Sequence, residues 1–313
     1  LTSVSLHHSV AIDSLRAGKH VLVEKPFAIS VRAGQRMVEE ADKRGLSLGV
    51  AEVVRYREDW CRVPKWIIES GQIGKLQMWI SGGMGARDWS PDVIIAKTPW
   101  RQKKLEGGGG PAVDGAVHLF DAIRYLYGEI DEISAMAPQF EPVRVIRDEA
   151  GNVIESVKNE VEDAYFAHLK FVNGAVGEIF GGVAGHGEPT GMQDGIAMYG
   201  SKGVLKGGEV VLDGGTRLNV RKLYDEQAPA ELKAKWFPGG VKDGFGLEDL
   251  DWIQSIEQGR AMECDGKEGV RDLACSYAIL ESATLNRPVK VEDVLAGKVE
   301  AYQREIDQHY GLL

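Results

Sequence analysis

The spacing of apolar runs near the start of the chain most constrains its fold. Residues 20–23 form one compact apolar run and residues 46–54 form a second. The segment between them has the apolar spacing of a helix, which Ser30 can begin and Gly45 can end. Continuously apolar strands that alternate with helices are typical of parallel βα units. We therefore predict that residues 1–55 form part of a doubly wound parallel sheet.

The pattern changes to strict alternation further along the chain. Residues 161–171 alternate between apolar and polar side chains, and Asn173-Gly174 then predicts a two-residue hairpin before a strand at 175–183. More short strands follow through residue 220, separated by turns that contain glycine. The chain has 39 glycines in all. This pattern indicates a large, open, mixed or antiparallel sheet with one face free.

These patterns predict the organisation of the rest of the chain. Residues 56–290 are expected to form an α/β domain around the open sheet. Residues 291–313 are expected to form a C-terminal helix that packs back on the domains, because their apolar residues recur at helical spacing. Residues 148–156 and 222–243 are predicted to be loops.

Charge and cysteine content exclude several classes of protein. Of the 313 residues, 37 are Lys or Arg and 47 are Asp or Glu, so the net charge is −10. Nucleic-acid and anionic-membrane partners need a basic face, so neither is expected. No apolar run reaches the roughly 18 residues of a membrane span. Three widely spaced cysteines give neither a disulfide framework nor a zinc motif, so we expect reduced thiols and a cytoplasmic protein.

Lys25 is the first candidate for chemistry. It stands in Glu24-Lys25-Pro26, directly after the apolar run at 20–23. Ligands of parallel α/β sheets bind beyond the carboxyl ends of the strands, where an ammonium held by a following proline can enter a cleft. The X-Pro bond can be cis. The alternative is a solvated loop lysine.

Asp114 and His118 are the second candidates. They follow the glycine run at 107–110, which lets the backbone approach a ligand or another strand closely. Four residues apart on one helix, the carboxylate would orient the imidazole for general acid/base work. The alternative is an ordinary pair on a helix surface. No third ligand lies at a recognisable spacing, so no metal site is predicted.

Other histidines are weaker candidates. His186 lies in a Gly-rich stretch where it could contact a substrate, or it could simply occupy a turn. His7 and His8 stand at the beginning of a helix whose apolar residues are read at 10–16, and we expect them to be solvated caps.

Several segments occur together in one order along nearly the whole chain. These segments are AGKHVLVEKPFA, ESGQIGKL, WRQKKLEGGGGPAVDGAVHLFDAIRYLYG, NGAVGEI, YGSKGVLKG and NRPV. In this combination the sequence resembles the Gfo/Idh/MocA family, named after glucose–fructose oxidoreductase, inositol dehydrogenase and a rhizopine catabolism protein. The resemblance implies a Rossmann nucleotide-binding domain followed by an α/β domain with an open sheet. It also implies NAD- or NADP-dependent oxidation or reduction of a hydroxyl-bearing carbon of a sugar, sugar derivative or cyclitol.

The resemblance also assigns roles to individual residues. It implies a catalytic set of Lys25, Asp114 and His118, and a substrate site formed by this set with Arg101. His186 is added to the substrate site as a residue-based expectation. The implied cofactor contacts are Glu24, Lys25, Pro26, His7, Trp100 and Arg101. A homodimer or homotetramer would form through the open sheet.

Two features depart from the family pattern. The usual Thr-Pro-Asn-x-x-His segment here runs from Thr2 to His7 without the proline or asparagine, and no GxGxxG fingerprint is present. With Leu1 as the first residue, these departures predict a member shortened at its N-terminus. Two alternatives therefore stay open: a relative that cleaves glycosides by a redox-assisted route with NAD, and a catalytically silent sugar-binding or assembly module.

Overall fold

A computed structural model describes residues 2–85, 98–192 and 195–313 of the protein. The first part has the order helix, strand, helix, strand, and its two strands pair in parallel, which confirms the predicted βα units. These elements are α1 (Val4–Arg16), β1 (Val21–Glu24), α2 (Val31–Arg44) and β2 (Leu48–Ala51). The Ser30 hydroxyl accepts a hydrogen bond from the Ala33 N–H, and Gly45 ends α2 with a φ of 63°. Both ends of α2 therefore follow the sequence signals.

The first helix begins earlier than the sequence predicts. It starts at Val4 rather than at residue 10, so His7 and His8 lie inside α1 and are buried. The expectation that they are solvated is wrong. The prediction relied on the apolar spacing of residues 10–16, whereas Val4 extends the buried face of the helix toward its N-terminus.

A ten-stranded mixed sheet forms the centre of the second part, as predicted. Its strand order is β13-β12-β11-β10-β3-β8-β7-β4-β14, and β9 pairs with β3. Strands β3 and β8 run parallel, whereas β7 and β8 form the antiparallel hairpin around Asn173-Gly174. The strands are β3 (Leu76–Met84), β4 (Ile130–Met136), β7 (Ala164–Phe171), β8 (Val176–Gly182), β9 (Thr190–Gly191), β10 (Ala197–Gly200), β11 (Gly203–Lys206), β12 (Glu209–Leu212), β13 (Arg217–Asn219) and β14 (Val289–Lys290).

The two faces of this sheet differ. In β7, Tyr165, Ala167, Leu169 and Phe171 are buried, whereas the residues between them are exposed. Long helix α10 (Gly266–Leu285) packs against β4 and contributes most of its length to the core. The alternation predicted from the sequence thus divides a packed face from a free face.

The remaining helices connect these sheets. They are α3 (Val63–Glu69), α4 (Lys104–Gly107), α5 (Pro111–Asp114), α6 (Ala116–Tyr127), α7 (Val220–Gln227), α8 (Ala230–Trp236), α9 (Gly244–Gln258), α11 (Val291–Leu295) and α12 (Arg304–His309). Short 3-10 turns cover Val53–Tyr56, Pro99–Gln102 and Pro238–Gly240, and a short π-helix covers Glu58–Arg62. Within the described residues, we find no helix with both the length and the apolar character needed to cross a bilayer.

Two segments that were predicted to be loops have regular structure. Residues 148–156 lie in a hairpin of β5 (Val143–Arg147) and β6 (Val153–Lys158), and most of 222–243 is helical. The Asn219 side chain caps α7 by accepting from the Lys222 N–H. Elements this short carry too few apolar positions to produce a readable period, so the sequence signal was lost.

The segment at 291–313 is not one helix. It contains α11 and α12, and between them Gly297 has a φ of 67°, a left-handed conformation that interrupts a helix. The segment packs against α2: the Ser30 hydroxyl donates to Asp307 at 2.5 Å, and the Gln35 amide donates to the Leu295 carbonyl at 2.6 Å. The domain boundaries at 55 and 290 stay predictions.

Candidate active site

Two candidate side chains lie side by side at the carboxyl edge of the parallel strands. Glu24 of β1 pairs with Ala51 of β2, so the next residues, Lys25 and Glu52, leave the sheet as neighbours. Adjacent strands lie about 4.8 Å apart. The Lys25–Pro26 peptide bond is cis. This edge is where ligands of parallel α/β sheets bind.

The Lys25 ammonium is held by Asp114. Its Nζ donates to the Asp114 carbonyl oxygen at 3.1 Å and to carboxylate Oδ1 at 3.4 Å. Arg101 Nε donates to the other carboxylate oxygen, Oδ2, at 3.0 Å, and its guanidinium lies 4.7 Å from the centre of the Trp100 ring. The structure therefore brings together four predicted site residues, Lys25, Trp100, Arg101 and Asp114, with Asp114 shared by two cations.

His118 is paired with Glu52 and not with Asp114. The distance from His118 Nδ1 to Glu52 Oε1 is 2.6 Å, and Glu52 is 1% exposed. The same oxygen accepts a hydrogen bond from the Val54 N–H at 3.3 Å, which begins the turn Val53–Tyr56. Because the carboxylate engages Nδ1, Nε2 is the ring nitrogen left for a ligand. The expectation that Asp114 orients His118 is wrong.

A break in the helix explains this change of partner. Asp114 is the last residue of α5, Gly115 separates the two helices, and His118 belongs to α6. The four-residue rule applies only to one continuous helix. Sequence reasoning missed Glu52, although its position directly after an apolar strand is the signal that identified Lys25.

A buried ion network fixes the turn that follows Glu52. Arg55 pairs with Asp121 of α6, where its Nε donates to Oδ1 at 2.9 Å, and Nη2 donates to Glu268 of α10 at 3.0 Å. Burial opposes the charge of Arg55, but the neighbouring Asp121 carboxylate keeps its pKa above the usual range. Removing one member of such a pair leaves an uncompensated buried charge. The turn that follows Glu52 is therefore tied by ion pairs to α6, which carries His118, and to α10.

Asp121 also belongs to a group with metal-ligand chemistry. It lies near Cys264 and Asp272, and all three residues are buried. Arg55 pairs with Asp121, and Arg124 Nη1 donates to Asp272 at 2.6 Å. Each of the two carboxylates is thus already paired with a guanidinium group. We interpret this group as an internal ion network, and no metal is assigned to it.

A cavity of about 800 Å³ opens beside His118. It lies between the turn after Glu52 and the large sheet, and its wall includes Gly115 and Lys206 as well as three aromatic side chains, Trp60, Tyr165 and Phe180. A volume of this size is typical of small-molecule sites. Aromatic walls together with polar groups such as His118 and Lys206 suit a ring that carries both C–H and hydroxyl groups.

The residues predicted on the cofactor side surround Lys25. Glu24 Oε2 accepts from the Lys25 backbone N–H at 3.2 Å. His7 Nδ1 lies 2.9 Å from the Pro26 carbonyl, which can only accept, so this nitrogen carries the proton. Burial lowers the pKa of His7 below its ordinary value. A neutral His7 thus supports the backbone of the Lys25–Pro26 segment.

His186 is not brought to this site. Its imidazole is exposed, its Nε2 lies 2.7 Å from Glu141 Oε1, and it is absent from the described residues that line the cavity. The predicted substrate contact of His186 has no support in this geometry. The glycine-rich backbone around it, which suggested the contact, instead allows two backbone segments to approach closely, because a Cβ at Gly185 would lie 2.4 Å from the Gly85 carbonyl oxygen.

The glycine run before Asp114 is needed for close packing. A Cβ at Gly110 would lie 2.0 Å from the Glu162 carbonyl oxygen, and Gly108 has a φ of 83°. Below the run, the fully buried Glu162 accepts a hydrogen bond from the Ala112 N–H at 2.9 Å. Burial raises the pKa of this carboxyl to about 7. The run therefore brings the backbone that carries Asp114 directly onto the segment of Glu162.

We expect Gly110→Ala to destabilise the protein by about 1–3 kcal/mol, the usual cost of forcing atoms into a packed interior. The free energy of unfolding in urea measures this effect. Gly246→Ala is the matched control, because its nearest non-neighbouring atom would lie 3.4 Å from the new Cβ and the position is helical. Equal stability of the two variants would contradict the packing role of Gly110.

Comparisons with known proteins agree with this architecture. Residues 1–52 match the NAD-binding Rossmann fold of an oxidoreductase family, Gfo/Idh/MocA, and residues 65–291 match its C-terminal alpha/beta domain. Levoglucosan dehydrogenase of Pseudarthrobacter phenanthrenivorans is 26% identical, over 93% of this chain and 78% of its own. Myo-inositol 2-dehydrogenase of Thermotoga maritima is 27% identical, over 94% and 79%.

Solved structures have the same fold. Levoglucosan dehydrogenase in complex with NADH and levoglucosan superposes with a TM-score of 0.73 at 22% identity, and covers 93% of this chain and 78% of its own. An NAD binding oxidoreductase from Klebsiella pneumoniae gives a TM-score of 0.74 at 24% identity, with coverage of 93% and 78%. Since the family's C-terminal domain alone matches residues 65–291, more than half of the 313 residues, the chain belongs to the Gfo/Idh/MocA oxidoreductase family.

Proposed function

We propose that the protein is an NAD(P)-dependent dehydrogenase that transfers a hydride between nicotinamide and a hydroxyl-bearing carbon of a sugar or cyclitol. The observation that carries this proposal is that Lys25 and Glu52 follow neighbouring strands at one sheet edge, with Glu52 bonded to His118 at the cavity wall. Relatives named as dehydrogenases of levoglucosan and of myo-inositol support the substrate class.

The residues at the strand edge fit a nicotinamide cofactor. The Lys25 ammonium is partly open to solvent, with a side chain that is 22% exposed, and it emerges where dinucleotides bind in this class of sheet. When bound, NAD(P) supplies the hydride acceptor or donor. Everything else in the reaction is positioning and proton transfer by the protein.

His118 acts as the general base in the direction of oxidation. Its Nε2 takes the hydroxyl proton of the substrate, and Glu52 stabilises the resulting imidazolium through Nδ1. Lys25 donates a hydrogen bond to the same substrate oxygen and stabilises its developing negative charge. Asp114 keeps the ammonium in place and is itself held by Arg101. In the reverse direction, His118 returns the proton.

A panel of polyols tests this function. We expect reduction of NAD⁺ or NADP⁺, followed by its absorbance, with at least one anhydrosugar, hexose or inositol. Binding of the cofactor without reduction by any polyol would overturn the proposal. Cleavage of a glycoside without net formation of NADH would instead identify a redox-assisted glycosidase, and absence of cofactor binding at millimolar concentration would identify a silent module.

We propose that a second copy of this chain covers the free face of the large sheet. Met136, Phe166 and Val176 project from it and are 67%, 40% and 50% exposed, which is unusual for large apolar side chains on one face. Phe166→Asp should lower the mass measured by sedimentation. Val172→Asp, in the hairpin turn and 70% exposed, is the control. An unchanged mass would contradict this arrangement.

A cytoplasmic location is also proposed. The three cysteines are unpaired and buried, as expected of a protein that folds in a reducing compartment.

A further inference from the structure

Glu248 is a buried acid that the proposed mechanism leaves unused. It lies on α9 and is 4% exposed, and its Oε2 accepts no hydrogen bond from any described residue. A carboxylate in such surroundings loses hydration without gaining a donor. Burial is the largest cause that raises the pKa of Glu248, to about 8, and the next is the negative charge of Glu52. Near neutral pH this carboxyl therefore holds its proton.

The position of Glu248 on α9 directs it toward the turn that follows Glu52. Gly244 and Asp251 lie four residues before and three residues after it, on the same helix face. A Cβ at Gly244 would lie 3.0 Å from Val53 Cγ2, and the Tyr56 hydroxyl donates to Asp251 Oδ2 at 2.7 Å. Gly244 therefore lies close to Val53, and the hydrogen bond joins Asp251 to Tyr56. This face of α9 packs against the turn Val53–Tyr56.

Glu52 also has a buried carboxylate oxygen that accepts no hydrogen bond from the described residues. Its Oε1 is bonded to His118 and to the Val54 N–H, whereas its buried Oε2 has no donor among the described residues. Glu248 on α9 and Glu52 at the start of the turn each have one buried oxygen without a donor among the described residues, and the two elements pack against each other. A second negative charge in such surroundings is unfavourable, so the charge of Glu52 adds to the effect of burial in raising the pKa of Glu248.

The other charges around Glu248 act in the same direction. Glu24 of β1, Asp121 of α6 and Asp249 of α9 all add negative charge there. The cations of the adjoining turn and loop are engaged elsewhere. Arg55 pairs with Asp121 and Glu268, Arg57 with Asp59, and Arg260 with Asp251.

We propose that Glu248 is a positioning residue that holds a proton behind the Glu52–His118 pair. While Glu248 is neutral, no second negative charge lies behind the Glu52 carboxyl that is bonded to His118. When Glu248 loses its proton, a second negative charge arises behind Glu52 and favours the imidazolium form of His118. The proton affinity of the base thus follows the state of an acid that never touches the substrate.

Histidine NMR tests this coupling on the full chain. The chain has seven histidines, and His118→Gln identifies the resonance of interest. We expect the His118 ring signal to show a second inflection near pH 8. Glu248→Gln should abolish that inflection, while Glu257→Gln, an exposed acid on the same helix, should leave it in place. An unchanged titration curve in Glu248→Gln would overturn the proposal.

A second variant keeps the test decisive if Glu248→Gln fails to fold. Glu248→Asp retains a titrating carboxyl but moves it, so the second inflection should shift along the pH axis. An inflection at the same pH as in the wild type would overturn the proposal.

The consequence for turnover rests on the proposed function and is measured separately. We expect the pH profile of kcat/KM to lose its limb near pH 8 in Glu248→Gln. If the NMR inflection disappears in Glu248→Gln but the pH profile is unaltered, Glu248 is coupled to His118, but His118 is not the general base. If both the inflection and the limb near pH 8 persist, the proposed role of Glu248 is wrong.

Discussion

Replacing His118 with Asn should lower kcat/KM for the best polyol by about 10²–10⁴-fold, the usual contribution of a positioned general base. Asn keeps a polar group that can reach Glu52, but it cannot accept the hydroxyl proton. The loss should appear in kcat, because the proton moves only as the hydride leaves. Steady-state rates with saturating NAD⁺ or NADP⁺ measure the effect.

His309→Asn is the matched control for this experiment. His309 is an exposed residue at the end of α12 whose ring rests on Tyr310, so its loss should leave the rate unchanged. Unfolding in urea shows whether either variant is folded. A folded His118→Asn enzyme with wild-type kcat would exclude His118 as the base.

Replacing Lys25 with Met should lower kcat by about 10²–10³-fold, as loss of one donor to a developing oxyanion does in other enzymes. Met preserves most of the length and the apolar stem of lysine but removes the ammonium. The variant also frees the Asp114 carboxylate, whose charge then faces Arg101 alone. Comparison of kcat with KM for the polyol separates the chemical step from binding.

Lys19→Met is the matched control for Lys25. Lys19 lies just before β1, at the opposite end of the same strand, and is exposed. Its replacement should leave kcat unchanged. If Lys25→Met lost only affinity for the polyol and kept kcat, the ammonium would bind the substrate without stabilising the transition state.

The position of Lys25 was predictable because it depends on a rule of topology. Strand, loop and proline follow one another in the sequence, and parallel strands end at one edge. The free face of the large sheet was equally predictable, since alternation along β7 reflects the geometry of the strand itself. Both features follow from local sequence.

The partner of His118 was not predictable in the same way. The Asp114–His118 spacing suits a helix, but Gly115 interrupts it, and only the folded backbone reveals the break. Glu52 lies 66 residues from His118, so their contact depends on how α6 packs against the end of β2. Glu248 was missed for a related reason. Its raised pKa arises from burial and from acids that lie mostly on other elements, which no local sequence pattern encodes.

The hydrogen bonds that join the α2 region to the segment at 295–312 have a consequence for biosynthesis. The hydrogen bond from Ser30 to Asp307 spans 277 positions, and those from Gln35 to Leu295 and from Arg36 to Leu312 span 260 and 276. A ribosome therefore exposes α2 long before its partners are made. Loop closure over such distances is slow. We expect the nucleotide-binding part to stay vulnerable to proteases during translation and to become resistant only once α12 has emerged from the exit tunnel.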